Sequence, residues 1–176
     1  MTDTRRWSVY FKASSVPSIG DIKGPVRDRD AKKNGSIALL AVDHHIVSPR
    51  DASTGLASGK RRHLPMTIVK EPDETSPLFY KLIATNGLIP SIDLIFFGDD
   101  IRFGLTSKLE INLYTITLTS AFVSEILLSS QSGDESQDQS RIGVTERISF
   151  VYDQIRWKWN DPGVETSDAF SSPTNI

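Results

Sequence analysis

Cysteine is absent from the 176 residues, which removes disulfide frameworks, thiolate metal sites and cysteine nucleophiles together. That absence fixes no compartment. Long apolar runs are also missing: Ile37–Val42 and Leu94–Phe97 are the longest, far short of a bilayer span, so no membrane insertion is expected. Nor is there a strong charge of either sign. Twenty basic side chains against 22 acidic ones leave −2, so no bulk attraction to nucleic acid or to an anionic surface exists. A secretory leader is not expected, because Arg5-Arg6 precedes only Trp7–Phe11 before Lys12, too short for a signal-peptide or twin-arginine segment. What remains is a chain with 38% hydrophobic and 24% charged residues, which excludes wholesale disorder. Its length suits one domain over residues 1–176, large enough to bury a single core without staples. The ordered part is expected over about 7–161, with a loose polar C-terminal tail at 162–176. No internal repeat is present.

The dominant hydrophobic period is two, the mark of a mainly β chain. Trp7, Val9 and Phe11 alternate with polar residues as a first strand. Residues 13–36 form a long Pro-, Gly- and charge-rich connection, with a short strand expected around Ile19–Ile22. Asn34-Gly35 signals a turn, and Ile37–Val47 reads as one strand. Residues 48–62 carry no period and read as an extended hairpin loop, returning through His63–Lys70. Further strands are expected over Leu88–Phe97, Leu109–Leu128 and Ile142–Trp159. The last two change face midway: Leu109, Ile111 and Leu113 give way to Tyr114, Ile116 and Leu118, and Ile148, Phe150 and Tyr152 give way to Ile155, Trp157 and Trp159. Such phase slips are produced by bulges and barrel corners, and point to a small closed barrel or a tightly folded sandwich. One helix is expected from about 76 to 86, with Ser76 as its cap and Pro77 in its first turn. Asp73 and Glu74 stand at its positive end, Leu78, Phe79, Leu82 and Ile83 form its core face, and Gly87 follows its end. The segment 131–140 is a polar acidic loop.

A search for reactive constellations returns nothing. Gly55–Lys60 is one residue short of a phosphate-cradling loop, has Arg61 where Ser or Thr is needed, and is followed by no helix pattern. His44 and His45 point to opposite faces if both lie on one strand, so with Asp43 and His63 they form no patterned metal site. Asp99-Asp100 reads as a solvated turn. Lys60-Arg61-Arg62 is too isolated for a nucleic-acid patch and better suited to meeting an acidic protein surface. Trp157 and Trp159 share a strand face and read as core or interface. Asn34-Gly35-Ser36 matches a glycosylation sequon that has no meaning without secretion through a glycosylating compartment. No catalytic residue, cofactor or metal is assigned.

The stretch Ser48-Pro49-Arg50-Asp51, then Thr54-Gly55, then Gly59-Lys60-Arg61, His63 and Pro65 closely resembles the haemolysin-coregulated protein family, the tube proteins of bacterial type VI secretion systems. Ser58 stands for that family's usual Thr and Leu64 for its usual Lys. Lys70-Glu71-Pro72-Asp73 through Ser76-Pro77-Leu78 resembles the lead into the family's single helix. Ile19–Gly24 and Gly35–Ile37 resemble its first hairpin, and Ile148–Trp159 its closing strand. The likeness covers roughly residues 7 to 161, with a longer N-terminus and without an appended toxin domain. It implies a small β-barrel of two curved antiparallel sheets, one short flanking α-helix and the extended loop. It further implies homohexameric rings that stack into a hollow tube, fired by a contractile sheath behind a spike protein. Such a tube starts in the bacterial cytoplasm, leaves without a signal peptide and can carry effector proteins in its lumen. Mapped by motif, Ser48, Pro49, Arg50, Asp51, Thr54, Gly55, Gly59, Lys60 and Arg61 form the candidate inter-subunit or inter-ring loop. A ring needs two unlike patches per subunit, and an alternately charged loop suits one of them. The competing expectation is a monomeric β-barrel that carries a small ligand in an apolar cavity. An enzyme built on Asp43, His44 and His63 is a third.

Overall fold

The computed structural model describes residues 7–99, 110–130 and 143–169. Along these run β1 (Trp7–Ala13), β2 (Ile37–Leu39), β3 (Ala41–Asp43), β4 (Ile46–Val47), β5 (Arg62–His63), β6 (Met66–Lys70), α1 (Ser76–Thr85), β7 (Ile89–Asp99), β8 (Glu110–Ser130), β9 (Val144–Val151), β10 (Gln154–Trp159) and β11 (Val164–Ala169). The class is mainly β, as the period of two predicts, and the strands pair antiparallel.

The 21-residue β8 organises the fold. Its first half lies between β7 and β10, and β7 carries β1, which carries β2. Its second half pairs with β9, which passes to β6 and then β3. Two curved sheets therefore share one strand. The corner between them falls at Ser120, whose φ of 53° is unusual for a residue with a side chain. The neighbouring edge turns at the same level, where Tyr152-Asp153 separates β9 from β10 and the Asp153 amide still donates to Thr119 O. Both phase slips thus have structural causes. Within β8, Tyr114 faces Phe96 while Asn112 faces Phe97, so Leu113 is an extra bulged residue. A second bulge at Ser124, between the Val123 and Glu125 pairs, bends the far half.

Several expectations need correcting. Ile37–Val47 is not one strand: β2 lies on β1, β3 lies on β6, and Leu40 between them donates its amide to Val69 O. This segment spans from one sheet to the other, which a single straight strand cannot do. Around Ile19–Ile22 there is a tight turn at Gly20 (φ 80°) closed by a Val16–Gly20 bridge. The tail expected to be loose from 162 continues as β11, registered on β10 from Val164–Trp159 to Ala169–Gln154. It reads as polar because, among the described residues, it pairs with β10 alone and exposes most of its length. Leu109, Asp100, the acidic segment 131–140 and residues 170–176 lie outside the described residues.

Between the sheets, Phe11, Phe79 and Phe150 meet pairwise with ring centroids 5.7 to 6.2 Å apart. Met66, Ile68, Leu82, Ile92, Leu118 and Ile148 complete a fully buried layer around them. Phe79 and Leu82 of α1 sit in this layer, whereas Ile83 is 37% exposed and leaves the expected core face. The N-cap is Thr75 rather than Ser76. Asn86, not Gly87, adopts the left-handed conformation at the C-terminus. Gly87 is needed for space instead, because a Cβ there would lie 2.6 Å from Leu82 Cδ2.

A buried ionic cluster fixes the approach to α1. Met66–Phe150, Ile68–Ile148 and Lys70–Glu146 are successive cross-strand pairs, the last fully enclosed. Lys70 Nζ donates to Glu146 Oε2 at 3.0 Å, Ser76 Oγ at 3.0 Å and Glu71 O at 2.8 Å, and lies 3.2 Å from Asp73 Oδ1. Ser76 Oγ donates to Glu146 at 2.6 Å and accepts the Asp73 amide. Asp73 Oδ1 accepts the amide and hydroxyl of Thr75. Every charge in the cluster therefore has a partner, the condition for tolerating such a group in a core.

Candidate functional site

The long loop is a hairpin with its own internal order. β4 and β5 pair at its root, and Arg50 bridges Ala57 farther out. At the tip Asp51 organises the turn: Oδ1 accepts from the amides of Ser53 (3.1 Å) and Thr54 (2.8 Å) and from both their hydroxyls. These bonds to the charged form hold the carboxyl at about 2, well below the usual carboxylate range. Gly55 donates its amide to Asp51 O at a φ of 71°, a conformation that favours glycine. Arg50 Nη1 donates to Gly55 O, and the Ser58 amide to Pro49 O. Thus Pro49, Arg50, Asp51, Thr54 and Gly55 shape the loop, while residues 51–60, Gly59 and Lys60 included, are exposed. Ser48 is exposed where the outgoing arm leaves β4.

Arg61 engages its own subunit. Its guanidinium forms a two-pronged ion pair with Asp168 of β11, Nε to Oδ2 and Nη2 to Oδ1. His63 Nε2 also meets Asp168 Oδ2, at 2.9 Å, and His63 Nδ1 lies 3.3 Å from Tyr152 Oη. Tyr152 Oη in turn lies 3.2 Å from His44 Nε2, on the other arm of the loop. Asp168 is held at about 2, chiefly by the Arg61 hydrogen bonds. Burial pushes the Tyr152 hydroxyl up to about 12, so it remains a donor. Burial, then the neighbouring His63, lowers the His44 ring, which favours its neutral form.

The enzyme expectation finds no support in this geometry. His44 and His63 do meet at Tyr152, but Asp43 turns outward to Arg147, and the His63 side chain is only 2% exposed. Among the described residues no group of three or more His, Asp or Glu side chains is placed to hold a metal. Gly55 to Lys60 leads into β5 and not into a helix. Trp157 packs on the core and against the His44 ring, 5.8 Å between centroids. Trp159 joins an aromatic row with Tyr114 and Trp7. Sequence reasoning missed Asp168 and Tyr152. Residues 164–169 carry no apolar alternation that would have marked the strand and placed Asp168 on it.

The fold and loop describe a β protein that projects a shaped, exposed hairpin from a packed body. The family model for the type VI secretion system effector Hcp matches residues 17–159. The Major exported protein of Pseudomonas aeruginosa is 25% identical over 139 residues, covering 78% of this chain and 76% of that protein. Among solved structures, an Hcp protein superposes with a TM-score of 0.77 at 18% identity, covering 93% of this chain and 99% of the other. The secreted protein Hcp3 of Pseudomonas aeruginosa gives 0.71 at 17%, covering 95% and 100%. The chain belongs to the Hcp family, the structural tube proteins of type VI secretion systems, and is not an enzyme.

Proposed function

We propose that this subunit closes into homohexameric rings that stack into a hollow tube, is exported when a contractile sheath drives that tube behind its spike, and carries effector proteins in the lumen. The observation that carries this reading is the ordered, fully exposed hairpin at Asp51–Lys60, shaped by the family's own motif residues. A loop that organises its own tip and stands exposed along residues 51–60 is suited to reach another copy, because its ordering cost is met before binding. Heterologous contacts of this kind generate rings and stacks. The carrier alternative needs an apolar cavity, and the space between the sheets is filled instead by Phe11, Phe79, Phe150 and their neighbours.

Light scattering behind a sizing column at two salt concentrations, followed by electron microscopy, tests the reading. A mass near six subunits with stacked rings is expected. Deletion of residues 51–60 is expected to leave the near-ultraviolet circular dichroism intact while lowering that mass or abolishing stacks. A monomer at every concentration, or normal stacks from the deletion variant, refutes it.

A further inference from the structure

All the bonds within Pro49–Ser58 are local to the loop, so they give it a shape but no direction relative to the sheets. Its root is the short pairing of β4 with β5, continued only by the Leu64 amide donating to His45 O, too little to hold an arm at a fixed angle. The direction is set where the returning arm meets β11. The returning arm places Arg61 and His63 on Asp168, and the outgoing arm reaches the same carboxylate through His44, Tyr152 and His63. Asp168, being ionised, only accepts, so His63 Nε2–H donates to it. Tyr152 Oη stands between the two rings, 3.3 Å from His63 Nδ1 and 3.2 Å from His44 Nε2.

We propose that Asp168 is the positioning residue of the projecting loop, so that β11 clasps the returning arm directly, and the outgoing arm through His63 and Tyr152, and sets the pose in which the hairpin meets another copy. The last step rests on the reading of the loop as an assembly element; the clasp itself does not. Two features favour positioning over simple stabilisation. The Arg61–Asp168 contact is bidentate, which fixes orientation as well as distance. And Asp168 is the penultimate residue of a strand held among the described residues by β10 alone, so it joins the chain's last described element to a loop more than 100 positions earlier.

The test is hydrogen exchange measured by mass spectrometry on the full chain, comparing wild type with Asp168→Asn, Asp168→Glu, Arg61→Lys and Arg61→Gln. In Asp168→Asn and both Arg61 variants, amides of β4, β5 and the loop should exchange at least tenfold faster, while those of β7 and the first half of β8 are unchanged. Asp168→Glu, which keeps charge and fork, should restore exchange to within about threefold of wild type. Arg61→Gln leaves β11 its own residues, so protected β11 amides in that variant separate a loosened loop from a detached strand. Unchanged loop exchange in Arg61→Gln and Asp168→Asn overturns the clasp. Equal loosening of β7 and β8 also overturns it, by showing general destabilisation. Ring and stack formation by the same variants is read separately. A loosened loop with normal stacks leaves the clasp standing and sinks the assembly role of the loop.

Discussion

Replacing Lys70 with Met keeps most of the side-chain stem and removes an ammonium that has no exposed surface. Glu146, 2% exposed, then loses its cationic partner and keeps only the Ser76 hydroxyl among its described side-chain contacts. Asp73 loses the same charge at 3.2 Å. Breaking one side of a buried pair costs about 3–5 kcal/mol, because the remaining charge stays desolvated. For a chain of this length each kcal/mol shifts the melting midpoint by roughly 2–4 °C, so a fall of about 6–20 °C is expected. The double variant Lys70→Met, Glu146→Leu removes the buried pair and leaves Asp73 bonded to Thr75 and Ser76 bonded to the Asp73 amide. It should recover part of that loss, since apolar replacement of a buried pair is often neutral. Urea denaturation followed by tryptophan fluorescence, at one fixed subunit concentration, gives both numbers, because association would otherwise shift the apparent stability. The reasoning fails if Lys70→Met costs less than about 1 kcal/mol, or if the double variant is less stable than the single.

Three further outcomes follow from the same geometry. Asp168 is held at about 2 against an ordinary 3.8; a depressed carboxylate contributes stability that is present above the unfolded value and lost as pH falls through the folded one. Wild type should therefore lose about 2 kcal/mol more than Asp168→Asn between pH 4 and pH 2, read as urea midpoints across that window; parallel pH profiles would refute this. Trp157→Ala removes a half-buried ring that packs on the core and on His44, and should cost about 3 kcal/mol; an unchanged denaturation curve would place the ring in solvent. Asp51→Ala should leave the melting midpoint within about 2 °C, because the residue is exposed, while the loop amides of Ser53 and Thr54 lose protection; unchanged protection would show that the turn forms without the carboxylate.

The sheets were legible in the sequence because the period of two survives wherever one face is buried, and the slips at Leu113 and at Tyr152-Asp153 even located a bulge and a corner. What was illegible depended on context. Ile37–Val47 is uniformly suited to strand, and only the separation of β1 from β6 decides that it must break at Leu40. Ser76 looked like a cap because caps are local, yet its hydroxyl is taken by Lys70, Glu146 and the Asp73 amide, contacts that span up to 70 residues. β11 hid because a strand that pairs with β10 alone among the described residues and exposes most of its length needs no apolar alternation. With β11 hidden, Asp168 had no position, and Arg61 was free to be read as a docking residue.

The Arg61–Asp168 contact bears on the loop as a whole. The motif residues that made it recognisable bond mostly to one another or to their own subunit: Arg50 to Gly55, Thr54 to Asp51, Arg61 and His63 to Asp168. A side chain already committed in this way has little left to offer a neighbour, so contact falls to exposed residues between the motif positions. Leu56 is the clearest of these, 69% exposed at the tip, with only its backbone used in the turn. An apolar side chain presented on an ordered turn can contribute most of a small interface, since little freedom remains to be lost on docking. Leu56→Ser should therefore leave the exchange pattern of the loop unchanged and still reduce the mass of the assembly at a given concentration. Asp51→Ala should alter both. If Leu56→Ser assembles as wild type while Asp51→Ala does not, the contact is made by the backbone and charges of the turn, and Leu56 is a bystander.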